Sequence, residues 1–263
     1  MNHTDKLHDI WDASIGLQQV DGLLVSDYLR KVAKLNCDGK ASFHEAENLI
    51  LCYHYMNREK NSIGRTREAD VVSVRIAEYL SDYLDDYVDF SLSSDYFRSI
   101  HKELFSSVLD HDYVGKVRIY NIQKSESVLN GNSVIYGIAT ELEDALEYDL
   151  NKEKEFSYEG LSVEQVIVHM AHFISRLWQI HVFAEGNTRT TAVFLVQYLK
   201  TMGYEINYKV YVSNSVYFRN ALVRANYDDV KNEIYETTKY LEMFLSNLIN
   251  GTNYKLCNED LYI

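Results

Sequence analysis

Proline is absent from all 263 residues of this chain. Helices can therefore run without their strongest breaker, which costs about 3 kcal/mol inside a helix. The apolar spacing uses that freedom. "SFHEAENLILCYHYM" opens with Ser42 and Glu45 in capping-box spacing. "TREADVVSVRIAEYLSDYL" follows with Thr66 as its cap, and "SSDYFRSIHKELFSSVL" repeats Phe97, Ile100, Leu104 and Val108 at helical steps. "ATELEDALEYDL" is acidic and amphipathic. "LSVEQVIVHMAHFISRLWQI" starts on a second capping box, Ser162 with Gln165, and carries a stripe of Val166, Met170, Phe173 and Leu177. "TAVFLVQYLKTMG" is apolar nearly all round, which predicts a central buried helix stopped at Gly203. "SNSVYFRNALVRA" and "DDVKNEIYETTKYLEMFLSNLI" complete an all-α pattern.

One segment departs from it. "KVRIYNIQKSESVLNGNSVIYG" is β-branched and aromatic, with Asn130-Gly131 as a hairpin-turn signal. The expected hairpin comprises Val128, Leu129, Asn130, Gly131, Asn132, Ser133, Val134, Ile135 and Tyr136. A single hairpin builds no sheet core, so it reads as a flap or a pairing edge on a helical body.

Hydrophobic residues make up 46% of the chain, enough for a sizeable core. The net charge of −13 and pI of about 5.1 argue against nucleic-acid or anionic-membrane partners, while leaving room for one local cationic pocket. Cys37, Cys52 and Cys257 are odd in number and form no CxxC pair, which suits reduced thiols in a cytoplasmic protein. The polar N-terminus lacks a signal-peptide core. Most of the 22 tyrosines read as amphipathic packing residues, and an exposed few as acceptors of a modifying group.

The polar chemistry concentrates in "HVFAEGNTRTT", between two apolar helices. Gly186-Asn187-Thr188 falls where the second helix begins, and a helix start presents unpaired N–H groups and a positive dipole end, a ready phosphate site. Arg189 in the first turn suits phosphate oxygens. Glu185 suits a divalent metal riding on a polyphosphate. His181 suits a general base towards a hydroxyl, and Phe183 an anchor for the loop. These are the parts of a nucleotidyl transfer. The same pattern also fits an ordinary helix–loop–helix in which Asn187 or Thr188 merely caps. His169 and His172 are three apart on one face, a spacing that suits metal ligation, but packing beside the motif loop is the simpler reading.

On these residues the chain resembles the Fic-domain family, whose signature runs HxFx[DE]GNxRxxR. His181, Phe183, Glu185, Gly186, Asn187 and Arg189 match, "IHKELFSSVLDHDYVGKVR" is similar to the family's upstream helix and AGxxR-type turn, and Val128–Tyr136 corresponds to its target-docking flap. The resemblance covers about residues 95 to 205. It implies an all-α Fic-type bundle with one small β-hairpin flap, divided into an N-terminal helical region (1–92), a core (93–205) and C-terminal helices packed on it (206–263). It implies transfer of AMP from ATP to a Ser, Thr or Tyr hydroxyl of a target protein, with self-modification included and homo-oligomerisation left open.

In that scheme His181 is the base, Glu185 holds Mg²⁺, Gly186 and Asn187 hold the α-phosphate, Thr188 adds a backbone contact and Arg189 meets the outer phosphates. Asn220, on a helix with Tyr217, Arg219 and Arg224, is the candidate contact to the base edge. Val182 replaces a common proline, Thr188 a glycine or lysine, and Ala192 the second arginine. UMP, phosphocholine or phosphate transfer remain alternatives, as does a catalytically weak scaffold. The family's inhibitory helix reads [ST]xxxE[GN]. Glu47 and Asn48 fit it, with Phe43 in the Ser/Thr place, while Thr238 and Glu242 have the spacing but are followed by Met243.

Overall fold

The computed structural model describes residues 3–57, 64–81 and 90–263, and it is helical throughout. The helices are α1 (His3–Gly16), α2 (Asp27–Cys37), α3 (Phe43–Met56), α4 (Gly64–Ser81), α5 (Ser94–Phe105), α6 (Leu142–Glu155), α7 (Val163–Ile180), α8 (Asn187–Thr201), α9 (Lys209–Arg224) and α10 (Lys239–Ile249). Both capping boxes form as read. Ser42 Oγ accepts from Glu45 N while Glu45 returns to Ser42 N, and Ser162 with Gln165 does the same at α7. α4 begins at Gly64, so Thr66 lies inside its first turn rather than at the cap.

α8 is the axis of the molecule. Residues 187–199 are all buried, and α4, α5 and α7 pack around it. Its apolar circumference requires this, since burying each large side chain contributes about 1.5–3 kcal/mol. Phe194 packs on Phe90, Phe97 and Phe173, and the helix stops at Gly203, whose φ of 85° a side chain would resist. α1 closes the far side, packed on α4 and on α9. His169 is engaged by packing and pairing beside α6. It pairs with Glu153 Oε2 at 2.8 Å and stacks on Phe156, while His172 is exposed. Buried Glu153 also accepts from Tyr198 at 2.7 Å and from Tyr158. These bonds tie the end of α6 to α7 and α8.

Two further expectations are corrected. The segment 228–249 is not one helix. Asp229 caps a 3-10 turn at Val230–Asn232, an isolated bridge pairs Asp229 with Ile234, and α10 starts only at Lys239. The flap makes its turn but no β-ladder. Asn130 and Gly131 adopt positive φ (52° and 89°), and Asn132 N bonds Leu129 O, as an Asn-Gly turn should. Val134, Ile135 and Tyr136 alternate in, out, in. Val128 and Leu129, however, are both fully buried in a 3-10 turn, so the first arm loses the period of two that a strand needs. The carbonyl of Val128 is taken by Ile263 N. No described helix is long and apolar enough to cross a membrane.

Candidate active site

The loop that carries the chemistry is bounded by two left-handed residues. α7 ends at Ile180, and His181 turns the chain at φ 53° and ψ 55°, its N–H donating to Trp178 O. Five residues later Gly186, at φ 74°, starts α8. A Cβ on Gly186 would sit 2.5 Å from the ring of Phe105, so both its torsion and its space demand glycine. Phe183 is the anchor expected of it, stacked on His101 at 3.9 Å and on Phe97 at 5.6 Å. Asn187 closes the loop from within. Its Oδ1 accepts from Phe183 N at 3.0 Å and its Nδ2 donates to Phe183 O at 2.8 Å.

His181 is 3% exposed, and among the described residues neither ring nitrogen has a hydrogen-bond partner. Tyr136 from the flap lies over it at 4.4 Å between ring centres, with Trp178 edge-on at 5.3 Å. Burial first, and then the positive charges of Lys124, Arg118 and Arg219, hold the imidazole well below the usual histidine range. The ring is neutral and has a lone pair to offer. Glu185 is exposed at the mouth of the loop, and its carbonyl accepts from His101 Nε2. Among the described residues no three His, Cys, Asp or Glu side chains gather as a metal cage. Glu185 offers one exposed carboxylate there.

The start of α8 has no side-chain cap, which leaves its first-turn amides for an anion. The side chains here are engaged elsewhere. The two side-chain amide bonds of Asn187 hold the loop, which leaves its backbone N–H as a helix-start donor. Thr188 Oγ1 accepts from Trp178 Nε1 at 3.0 Å. Arg189 is 1% exposed, bonded to Glu68 Oε1 at 2.6 Å and Gln18 Oε1 at 3.0 Å, with Phe105 under its guanidinium. Its Nε also lies 2.8 Å from Asp21 Oδ2, a close charge contact without hydrogen-bond geometry. Ala192 is fully buried.

Asn220 donates to Asn258 Oδ1 and is covered by the C-terminal segment. Glu47 is not the carboxylate on the motif arginine. It pairs with Arg75 at 2.6 Å, and Glu242 accepts from its own Thr238.

Sequence reasoning passed over the residues that fix this arrangement. His101 uses both ring nitrogens, accepting from Gly115 N at Nδ1 and donating from Nε2 to Glu185 O, and its pKa falls to about 3 through burial. Buried Glu126 takes Arg219 in two bonds and Tyr136 Oη in a third, which clamps the flap above His181. Arg118 grips four main-chain carbonyls around His181. His101 and Arg118 do lie in the upstream segment that carried the resemblance, but no local periodicity announces partners 60 to 80 residues away. Asp21 and Glu68 left no local signal.

The site thus lies in a helical domain built on a buried α8, with His181 in the loop just before the uncapped start of that helix. Residues 91–199 match the family model described as Fic/DOC family. The chain is similar to protein adenylyltransferase VbhT of Bartonella schoenbuchensis, 28% identical over 114 residues. That alignment covers 43% of this chain and 22% of the relative, so it spans about a fifth of the relative's length.

Two solved structures share the fold. The N-terminal Fic domain of Bep8, a VirB-translocated effector of Bartonella sp. 1-1C, aligns with TM-score 0.53 and 16% identity over 70% of this chain and 86% of that one. The N-terminal Fic domain of a Bartonella effector protein from Bartonella sp. AR 15-3 aligns with TM-score 0.55 and 15% identity over 72% and 84%.

Proposed function

We propose that this chain is a protein adenylyltransferase of the Fic type, which moves AMP from ATP to a hydroxyl of a target protein. The observation that carries the reading is the placement of a neutral, unpartnered His181 next to the uncapped start of α8, within the Fic/DOC segment. The relative's name, protein adenylyltransferase, points the same way. The α-phosphate would sit on the amides of Asn187, Thr188 and Arg189, where fixed dipoles meet the charge that builds up in transfer. The target oxygen attacks phosphorus, its proton passes to a ring nitrogen of His181, and the bond to pyrophosphate breaks. Mg²⁺, held with the phosphates by Glu185, would neutralise charge on the leaving group.

The same geometry requires movement. Tyr136 covers His181, so the flap must shift before a target hydroxyl reaches the base. Arg189 must leave Glu68 and Asp21 before it can meet outer phosphates. That engagement is what favours the second reading, a weakly active scaffold whose arginine serves the fold. ATP labelled at the α or the γ position separates the readings. Label on protein from α-labelled ATP supports AMP transfer, label from γ alone supports a kinase, and no label from either supports the scaffold.

A further inference from the structure

Arg118 is 3% exposed, and its acceptors among the described residues are carbonyl oxygens rather than carboxylates. Nε donates to His181 O at 2.8 Å and Nη1 to Tyr120 O at 2.5 Å. Nη2 donates to Gly137 O at 2.6 Å and, more weakly, to Ile180 O at 3.4 Å. Its own N–H donates to Val182 O at 2.9 Å. The guanidinium thus sits at the negative end of the α7 dipole, which compensates a buried charge that has no counter-ion among the described residues.

These acceptors belong to three separate parts of the site. Ile180 and His181 end α7. Tyr120 lies on the arm that leads into the flap, and Gly137 on the arm that leaves it. The approach is close: a Cβ on Gly137 would lie 2.8 Å from Ile180 O and 2.8 Å from Leu142 Cδ2. His181 itself stands in the left-handed region, which costs a side-chain-bearing residue about 1–2 kcal/mol. Its carbonyl is held by Arg118 and its N–H by Trp178 O. Releasing the carbonyl removes one of the two restraints that aim the imidazole.

We infer that Arg118 is a positioning residue that locks His181 in its left-handed, base-ready conformation and joins it to both arms of the flap, so that flap movement on target docking and orientation of the base are one event. The inference rests on the transfer reading for its rate arm alone. A second arm reads His181 directly and stands without activity.

The experiment compares wild type with Arg118→Lys and Arg118→Ala, with melting temperature and circular dichroism confirming the fold. With ¹³C,¹⁵N-labelled protein, the ring signals of His181 are followed against pH. The groups facing that ring are Lys124, Arg219, Arg118 and Tyr136. In the folded variants the His181 signals should shift and its titration should move up towards the ordinary histidine range, because solvent enters and one cation is lost. Hydrogen exchange should rise at 120–137. Calorimetry should give an ATP affinity within threefold of wild type, while kcat for target labelling falls about a hundredfold for Arg118→Ala and less for Arg118→Lys.

An unchanged His181 titration in a folded variant overturns the inference, as does a loss of fold in both variants, which would make Arg118 a stability residue only. Shifted His181 signals without any transfer in wild type would uphold the positioning role and remove the adenylyltransferase reading instead.

Discussion

Glu68 and Arg189 stand 121 positions apart in the chain, and their side chains meet at 2.6 Å. With Asp21 at 2.8 Å, the motif's cation carries two carboxylates from the N-terminal part of the protein. A nucleotide's outer phosphates would compete for the same guanidinium. Glu68→Gln leaves Asp21 in place, so Arg189 is not orphaned, but weakens the competitor. ATP affinity measured by calorimetry should tighten about tenfold, equivalent to roughly 1.4 kcal/mol. Unchanged or weaker affinity would make Arg189 a structural cation. Glu47→Gly should leave ATP affinity as it was, since Glu47 serves Arg75.

The stability of the site should depend on pH through His101. Its folded pKa of about 3 lies below the roughly 6.5 of the unfolded chain, so the unfolded state takes up a proton first as pH falls. The contribution is complete above pH 6.5 and drains as pH drops towards 3. Between pH 6.5 and 5 the loss is about 1.6 kcal/mol. His181 adds in the same direction. In buffer free of divalent ions, the melting temperature of wild type should fall over this range more steeply than that of His101→Phe. Parallel curves would contradict the assignment.

Gly186→Ala should be among the most damaging single changes. The new methyl meets Phe105 and is forced to φ 74°. Destabilisation of about 2–4 kcal/mol is expected, from the torsion together with overpacking. Asn187→Ala should cost about 1–3 kcal/mol, since two buried polar groups of Phe183 lose their partner. Urea unfolding measures both. A loss below 1 kcal/mol for Gly186→Ala would mean that Phe105 yields easily.

The helices were legible because their determinants are local. Ser42 with Glu45 and Ser162 with Gln165 cap where the spacing placed them, and the unbroken apolar run of α8 became the buried axis. The Asn130-Gly131 turn was legible for the same reason. The ladder beside it was not, because burial of both Val128 and Leu129 is a tertiary choice that propensity does not see. The motif residues were found, but what Asn187, Thr188 and Arg189 do with their side chains was set by Phe183, Trp178, Glu68 and Asp21. Asp21 and Glu68 lie more than a hundred residues from Arg189.

The flap offers an intermediate test. Glu126 holds Tyr136 and Arg219 together over His181. Glu126→Gln keeps the shape and removes the charge, so hydrogen exchange at 130–137 should quicken and accessibility of His181 to diethyl pyrocarbonate should rise severalfold. Equal modification rates would show that Glu126 does not hold the cover.

In the proposed transfer, His181 takes the proton of the attacking hydroxyl without contacting the nucleotide. The most direct test is His181→Ala, assayed in parallel for ATP binding by calorimetry and for transfer from α-labelled ATP to protein in a lysate of the source organism. The ATP dissociation constant should stay within about threefold of wild type, in keeping with a role confined to proton transfer, while label is lost from every protein band. Labelling at the wild-type rate by His181→Ala would contradict it.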